Sequence, residues 1–253
     1  MSDWDALDAE LDLWQQAGSV ATFWWRDDDA KAASPALSSL LRLSQDHRVP
    51  LSLAVIPATA ESSLLQDLTA DAGLTVVQHG FAHANHAPPD EKSAEYGDHR
   101  PADVMGAEIL DGATRLRAAF GERFLPLFVP PWNRIAPGLV ATLPSLGMVG
   151  LSTYGPRPSV SPASGLRQVN THADLIDWRG ERGFKGTVRV VAEIAAHLSA
   201  RRSLQVDGNE PSGILSHHQV HDRDCWRFLD QLFSRTSRRE NVRWLGALEA
   251  LDS

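Results

Sequence analysis

The stretch VATFWWRDDDA, from Val20 to Ala30, holds the residues whose reading decides the fold. Val20 to Trp25 is β-branched and aromatic, as a buried strand requires, and it ends abruptly in Asp27, Asp28 and Asp29. Upstream, Trp4, Leu7, Leu11 and Trp14 recur at three- and four-residue spacing, which predicts an amphipathic helix over residues 3–16, stopped at Gly18. Downstream, Ser34 and Pro35 are the N-cap and first position of a helix reaching Asp46. A buried strand is expected from Pro50 to Ile56, a helix from Glu61 to Asp71, and a strand from Leu74 to Val77 that ends at Gln78 and His79. Gly80 to Arg100 is polar, holds Pro88 and Pro89, and reads as a long functional loop.

The same alternation runs to the end of the chain. Helices are expected over Ala102–Phe120, Pro137–Leu146, Thr187–Ala200 and Asp222–Phe233. Strands are expected over Phe124–Val129, Met148–Ser152, Leu166–Val169, Gly213–Ser216 and Val242–Leu245, with a Pro/Ser/Gly-rich loop from Tyr154 to Gly165. Short apolar strands alternating with helices about seven times predict an α/β fold with a parallel sheet. No linker divides the chain, so residues 1–253 are read as a single catalytic domain, with 1–18 its N-terminal helix.

Composition narrows the function. A chain of 253 residues, 43% hydrophobic and 22% charged, is neither disordered nor coiled coil. A net charge of -8 without a Lys/Arg-rich run argues against nucleic acid as a partner. The single cysteine, Cys225, excludes an internal disulfide framework. The first 14 residues carry five acidic side chains and no basic one, unlike a signal peptide, and no apolar run approaches the ~20 residues that span a bilayer. The expectation is a cytoplasmic protein with no membrane partner; whether it forms a homo-oligomer is open.

Polar clusters fall where strands end. Parallel β/α barrels carry their active sites at those C-terminal ends. HGFAH places His79 and His83 four residues apart, a spacing at which two imidazoles can share one divalent metal, with a carboxylate completing the set; His86 ranks below them. Three adjacent carboxylates repel unless a cation compensates. One of Asp27, Asp28 and Asp29 can ligate the metal while a neighbour stays free as general base, with Arg26 balancing charge. In FVPPWNR, Pro130 and Pro131 fix the backbone and leave the amides of Trp132 and Asn133 as donors to a developing oxyanion. Asp174 and Asp177 precede Trp178 and can orient a catalytic histidine, and His217, His218 and His221 follow a buried strand. A histidine there suits a general acid, because its pKa lies near the operating pH.

These residues, in this order, resemble the polysaccharide deacetylase family, carbohydrate esterase family four. The matching motifs are Asp28–Asp29, His79–His83, Pro130–Pro131–Trp132, Asp174–Asp177–Trp178 and Ile214–Leu215–Ser216–His217, spread over residues 20 to 220. The resemblance implies a distorted seven-stranded (β/α) barrel. It also implies a metal held by Asp29, His79 and His83, with Asp28 as base, His217 or His218 as acid, Asp177 and Trp132 in supporting catalytic roles, and Arg100, Pro131, Asn133, Arg134 and Trp178 around the substrate. The alternative register makes Asp27 the base and Asp28 the ligand. The family's motif-three arginine is replaced by Val129, and Arg26, Arg100 or Arg134 is its substitute. Zinc is the default ion, with nickel, cobalt and manganese also compatible.

The implied activity is metal-dependent removal of an acyl group, N-acetyl foremost, from a saccharide or small amide. Two alternatives stand beside it: hydrolysis of a non-sugar or cyclic amide on the same fold, and a carbohydrate-binding pseudoenzyme, for which Val129 and the eight tryptophans speak.

Overall fold

A computed structural model describes residues 2–68 and 73–253. Its elements in chain order are α1 (Asp5–Gln16), β1 (Ala21–Ala30), α2 (Pro35–His47), β2 (Leu51–Val55), α3 (Ser62–Asp67), β3 (Leu74–His79), α4 (Ala102–Phe120), β4 (Phe124–Val129), α5 (Pro137–Val140), β5 (Gly150–Leu151), β6 (Arg167–Gln168), β7 (Ala173–Asp174), α6 (Thr187–Arg202), β8 (Ser212–Ser216), α7 (Arg223–Thr236), β9 (Val242–Leu245) and α8 (Ala247–Asp252). The strands form one parallel sheet in the order β6-β5-β4-β3-β2-β1-β8-β7, with β9 paired to the first half of β1.

The sheet closes on itself because β6 and β7 belong to one extended segment. Arg167, Val169 and Thr171 donate their amides to Val149, Leu151 and Thr153, while His172 and Leu175 donate theirs to Gly213 and Leu215. Counting β6 with β7, the strands β1, β2, β3, β4, β5, β6–β7 and β8 make a distorted seven-stranded barrel. Gly213 sits at the seam. A Cβ there would lie 2.4 Å from the Asn170 carbonyl and 2.5 Å from Trp24 Nε1, so only glycine lets the strands meet.

Alternation along the strands builds two apolar layers. Phe23, Trp25, Leu53, Val76 and Phe128 face the surrounding helices. Trp24, Ala54, Val77, Leu127 and Val129 face inward, where Ala247, Ala250 and Leu251 of α8 fill the interior. No helix among the described residues is long and apolar enough to cross a membrane.

Two expectations are corrected, one element is new and one helix is seen in part. The strand from Val20 does not stop at Trp25 but runs through the aspartates to Ala30, because Asp27 and Ala30 still pair with Leu53 and Val55 of β2. The helix expected over Pro137–Leu146 is a short α5 followed by a 3-10 turn at Leu143–Leu146, since Pro144 has no amide to continue the α pattern. The last helix, α8, carried no expectation. Of the helix expected over Glu61–Asp71, Ser62–Asp67 is observed, and residues 69–71 lie outside the described residues.

Candidate active site

Strand periodicity distributes the aspartate triplet. Arg26 and Asp28 share the inward face with Trp24, while Asp27 faces the opposite side. Asp29 then breaks the alternation with a φ of 71°, at a register shift between Asp27 and Ala30. Left-handed backbone is unusual for a residue other than glycine and is tolerated best by Asp and Asn. Here it swings the Asp29 carboxylate sideways towards β3.

On β3, His79 is fixed by its outer nitrogen. Its Nδ1 lies 3.0 Å from the Val129 carbonyl, which can only accept, so Nδ1 carries the proton. The Nε2 atom is thereby turned towards Asp29 Oδ1, 3.1 Å away. His83, itself at a φ of 55°, brings Nε2 to 3.2 Å from the same oxygen. Burial would raise the Asp29 carboxyl, but the hydrogen bond and charge of His79, joined by His217 and His83, hold it below the ordinary carboxylate range. Burial opposes protonation of His79, yet the charges of Asp28 and Asp29 prevail and raise it, whereas burial and the charge of His79 lower His83.

The loop that presents His83 is built around a residue the motifs do not contain. Glu95 is buried and accepts from the amides of Phe81 and Ala82 at 3.2 and 2.8 Å. Gly80, at a φ of 53°, allows that approach: a Cβ there would meet Glu95 Oε2 at 2.2 Å and the Pro131 ring at 2.6 Å. The segment after Gly80 therefore supports the histidine loop. Arg100 belongs to this support and not to the substrate side, because its guanidinium is paired with Glu108 at 2.9 and 2.7 Å. His86 is exposed.

Asp28 is gripped by Arg26 through Nε and Nη2 at 2.8 and 3.0 Å. The same guanidinium donates to Ser152 Oγ at 2.6 Å and Asn133 Oδ1 at 2.8 Å, so all of it is buried and directed. Of the three arginines expected to stand in for the residue replaced by Val129, Arg26 alone reaches Asp28; Arg134 instead donates to the Ser93 carbonyl at 2.6 Å. Trp132 and Asn133 both have a φ of 56°, a strained turn that sets the Trp132 ring 4.4 Å from His83.

Just past β8, where the chain enters a 3-10 turn at His218, the two candidate acids part. His217 has the Trp178 ring edge-on at 4.7 Å and Asp174 Oδ1 3.9 Å from its Nδ1. Trp178 Nε1 holds the other oxygen of Asp174 at 2.7 Å. His218 lies behind the strand, where Asp27 accepts from its Nδ1, its amide and Ser216 Oγ. Asp27 is thus committed to a buried network with His218. Asp177 is corrected as well: it caps a turn at Arg179 and Gly180 and pairs with Arg189 at the surface.

Among the described residues a second group, His172, His197 and Glu210, also brings its ligand atoms within 4.8 Å of one another. Its chemistry differs. The Gly213 amide donates to His172 Nδ1 at 2.9 Å, so the proton of the neutral ring sits on Nε2, which lies 3.3 Å from Glu210 Oε2 without a hydrogen bond to it. That nitrogen is a donor, not a ligand. The donor set at Asp29, His79 and His83 fits a divalent metal; the buried set does not.

No protein-family model matches the sequence, and no curated relative matches it. Solved structures do. A Mycobacterium smegmatis protein described as a polysaccharide deacetylase aligns with a TM-score of 0.66 at 15% identity, covering 93% of this chain and 90% of that one. The fold is that of the polysaccharide deacetylases. A family 4 acetyl xylan esterase from Clostridium thermocellum, solved with a cobalt ion, gives a TM-score of 0.53 at 12% identity over 91% and 90% of the two chains. A mutant of a pseudoenzyme from carbohydrate esterase family four, described as having restored activity, gives 0.57 at 14% identity over 92% of this chain and 68% of that one.

Proposed function

We propose that the protein is a metal-dependent hydrolase that removes an acyl group, N-acetyl foremost, from an amino sugar or a related small amide. The observation that carries this reading is the union, on one barrel rim, of an Asp28 carboxylate held by Arg26 and an Asp29–His79–His83 set with both imidazole Nε2 atoms within 3.2 Å of one carboxylate oxygen. Cobalt in the structurally similar acetyl xylan esterase supports a divalent ion in this fold. Asp29, His79 and His83 would hold the ion, which supplies Lewis-acid polarisation of the acyl carbonyl when bound.

The chain's own groups divide the remaining work. Asp28 takes a proton from the attacking water as its oxygen bonds to the acyl carbon. Arg26 is a positioning residue: its two-point grip keeps the Asp28 carboxylate in one orientation, and the Asn133 and Ser152 contacts keep Arg26 in place. The Trp132 amide, on its strained turn, is the candidate donor to the oxyanion. His217, flanked by Asp174 and Trp178, gives a proton to the nitrogen as the carbon–nitrogen bond breaks, so the products are a carboxylate and a free amine.

Elemental analysis and amine release from acetylated substrates test this together. Zinc-loaded protein is expected to hold about one ion per chain, and Asp28→Asn to keep the ion while losing roughly a hundredfold to ten-thousandfold in turnover. A purified chain that cannot be loaded with zinc, cobalt, nickel or manganese would overturn the mechanism.

A further inference from the structure

Next to Asn133, which shares Arg26 Nη2 with the candidate base Asp28, lies a pocket of about 610 Å3, a size that suits a small-molecule ligand. Asn133, which fixes Arg26, lines one side. Tyr154, whose hydroxyl donates to the His172 carbonyl two residues before Asp174, lines the other. The pocket is therefore flanked by a residue that holds Arg26 and by one anchored two residues before Asp174.

Its wall chemistry is selective. Ile135, Val140, Leu151, Pro156 and Pro158 give an apolar lining, and the prolines make it rigid. Several polar atoms in the wall are already engaged. Asn170 Oδ1 accepts from the Thr153 amide and hydroxyl and from Gln168 Nε2, and Asn170 Nδ2 donates to the Gly155 carbonyl. A sugar ring, with hydroxyls on every edge, would find few free partners there.

Arg134 is the exception. It is the only charged side chain among the described lining residues, and it makes no ion pair among the described residues. One of its nitrogens donates to the Ser93 carbonyl, which leaves the rest of a planar fork of donors for a ligand. A fork of this kind matches a carboxylate.

Resting on the hydrolase reading for which bond is cut, we infer that this pocket receives the amine half of the substrate, and that this half carries an apolar group and a carboxylate: the substrate is an N-acylated amino acid or a close analogue, not a neutral saccharide.

The test is calorimetric titration of the zinc-loaded chain with a matched pair, N-acetylphenylalanine and N-acetylphenethylamine, and with diacetylchitobiose as the saccharide probe. The carboxylate-bearing probe is expected to bind about tenfold more tightly than its neutral partner, equivalent to about 1.4 kcal/mol, and more tightly than the saccharide. Arg134→Gln should reduce that ratio to about twofold or less, while Arg134→Lys, which keeps the charge, should retain about half of the preference in free-energy terms. Equal binding of the matched pair by the unmodified chain would overturn the inference. So would a preference that survives Arg134→Gln, which would mean that the metal captures the carboxylate, or tighter binding of diacetylchitobiose. Amine release, measured alongside, separates the two proposals. Arg134-dependent binding without turnover removes the hydrolase and keeps the pocket, whereas turnover indifferent to the carboxylate keeps the hydrolase and removes the pocket's assignment.

Discussion

Two groups of histidine and carboxylate, Asp29–His79–His83 and His172–His197–Glu210, look alike in residue type and spacing but differ in what holds the imidazoles from behind. His79 Nδ1 donates to a carbonyl, which frees Nε2 to ligate; His172 Nδ1 accepts from an amide, which obliges Nε2 to carry the proton. Glu210 is buried and already accepts from the Arg157 and Asn170 amides at 2.8 and 2.9 Å, so it staples a loop to the closing strand. Among the described residues, the Asp29 carboxylate is approached only by the two imidazoles. The lesson is that a metal site is recognised by the partner of the far ring nitrogen as much as by the ligands themselves.

The sharpest way to break this comparison is to remove one histidine from each group. His79→Ala, and equally Asp29→Ala or His83→Ala, is expected to take metal content from about one equivalent to background, and turnover down by a thousandfold or more, roughly, with the fold retained. His172→Ala should leave metal content unchanged and instead lower stability by about 2–4 kcal/mol, read by urea unfolding, because it opens a cavity and strands the Gly213 amide. Metal lost with His172→Ala would reverse the assignment of the two groups.

Next in size is Arg26→Met. It leaves Asp28 buried without its cation, so turnover should fall by about a hundredfold and stability by roughly 3–5 kcal/mol while metal content is preserved. Because the effect runs through the orientation and charge of Asp28, the pH profile of the remaining turnover should also shift; an unchanged profile would make Arg26 merely structural. A smaller effect is expected from Gly80→Ala, which pushes Glu95 off the His83 loop: metal affinity should weaken by about tenfold to a hundredfold, measured by competition with a chelator.

The smallest effect concerns pH and belongs to the second group. Burial, then the charges of Arg201 and Arg157, push His172 down to about 3, and burial with the charges of His172 and Arg201 pushes His197 down to about 2. Burial pushes Glu210 up to about 7. A histidine whose folded pKa is lowered costs stability as pH falls below its ordinary value near 6.5, since only the unfolded chain takes the proton. The raised Glu210 acts in the opposite sense, losing its contribution as pH rises towards 7. Between pH 7 and 5 each such histidine is worth roughly 2 kcal/mol. His197→Phe should therefore improve stability at pH 5 relative to pH 7 by about that amount, compared with the unmodified chain, in urea midpoints at the two pH values.

Much of the site was legible along the chain because parallel strands deliver their ends to one rim, so polar residues after apolar runs are functional candidates. Asp28, Asp29, His79, His83, Trp132 and His217, the residues of the proposed site, are singled out by that pattern. What the one-dimensional pattern did not separate were neighbours: Asp27 from Asp28, His218 from His217, Asp177 from Asp174. Each pair is adjacent or nearly so in sequence and lies on opposite sides of a strand or turn, so a side chain's direction decides its role. Arg100 was misplaced because Glu108, its partner, lies on a helix turn that no motif marks. Glu95 is legible only as one polar residue of the Gly80–Arg100 loop, since nothing local shows that its carboxylate folds back under Gly80.

Local composition and periodicity by themselves determined the alternating βα plan, the absence of a disulfide framework, and which strand ends carry chemistry, because these depend on residue type and on spacings of two and 3.6. Tertiary structure alone decided that a segment broken into β6 and β7 closes the barrel at Gly213, that Arg26 and not Arg100 or Arg134 reaches Asp28, and that one histidine–carboxylate group suits a metal while the other does not. Those outcomes depend on which backbone carbonyl or amide arrives beside a side chain from a distant strand, and no residue carries that information until the sheet has formed.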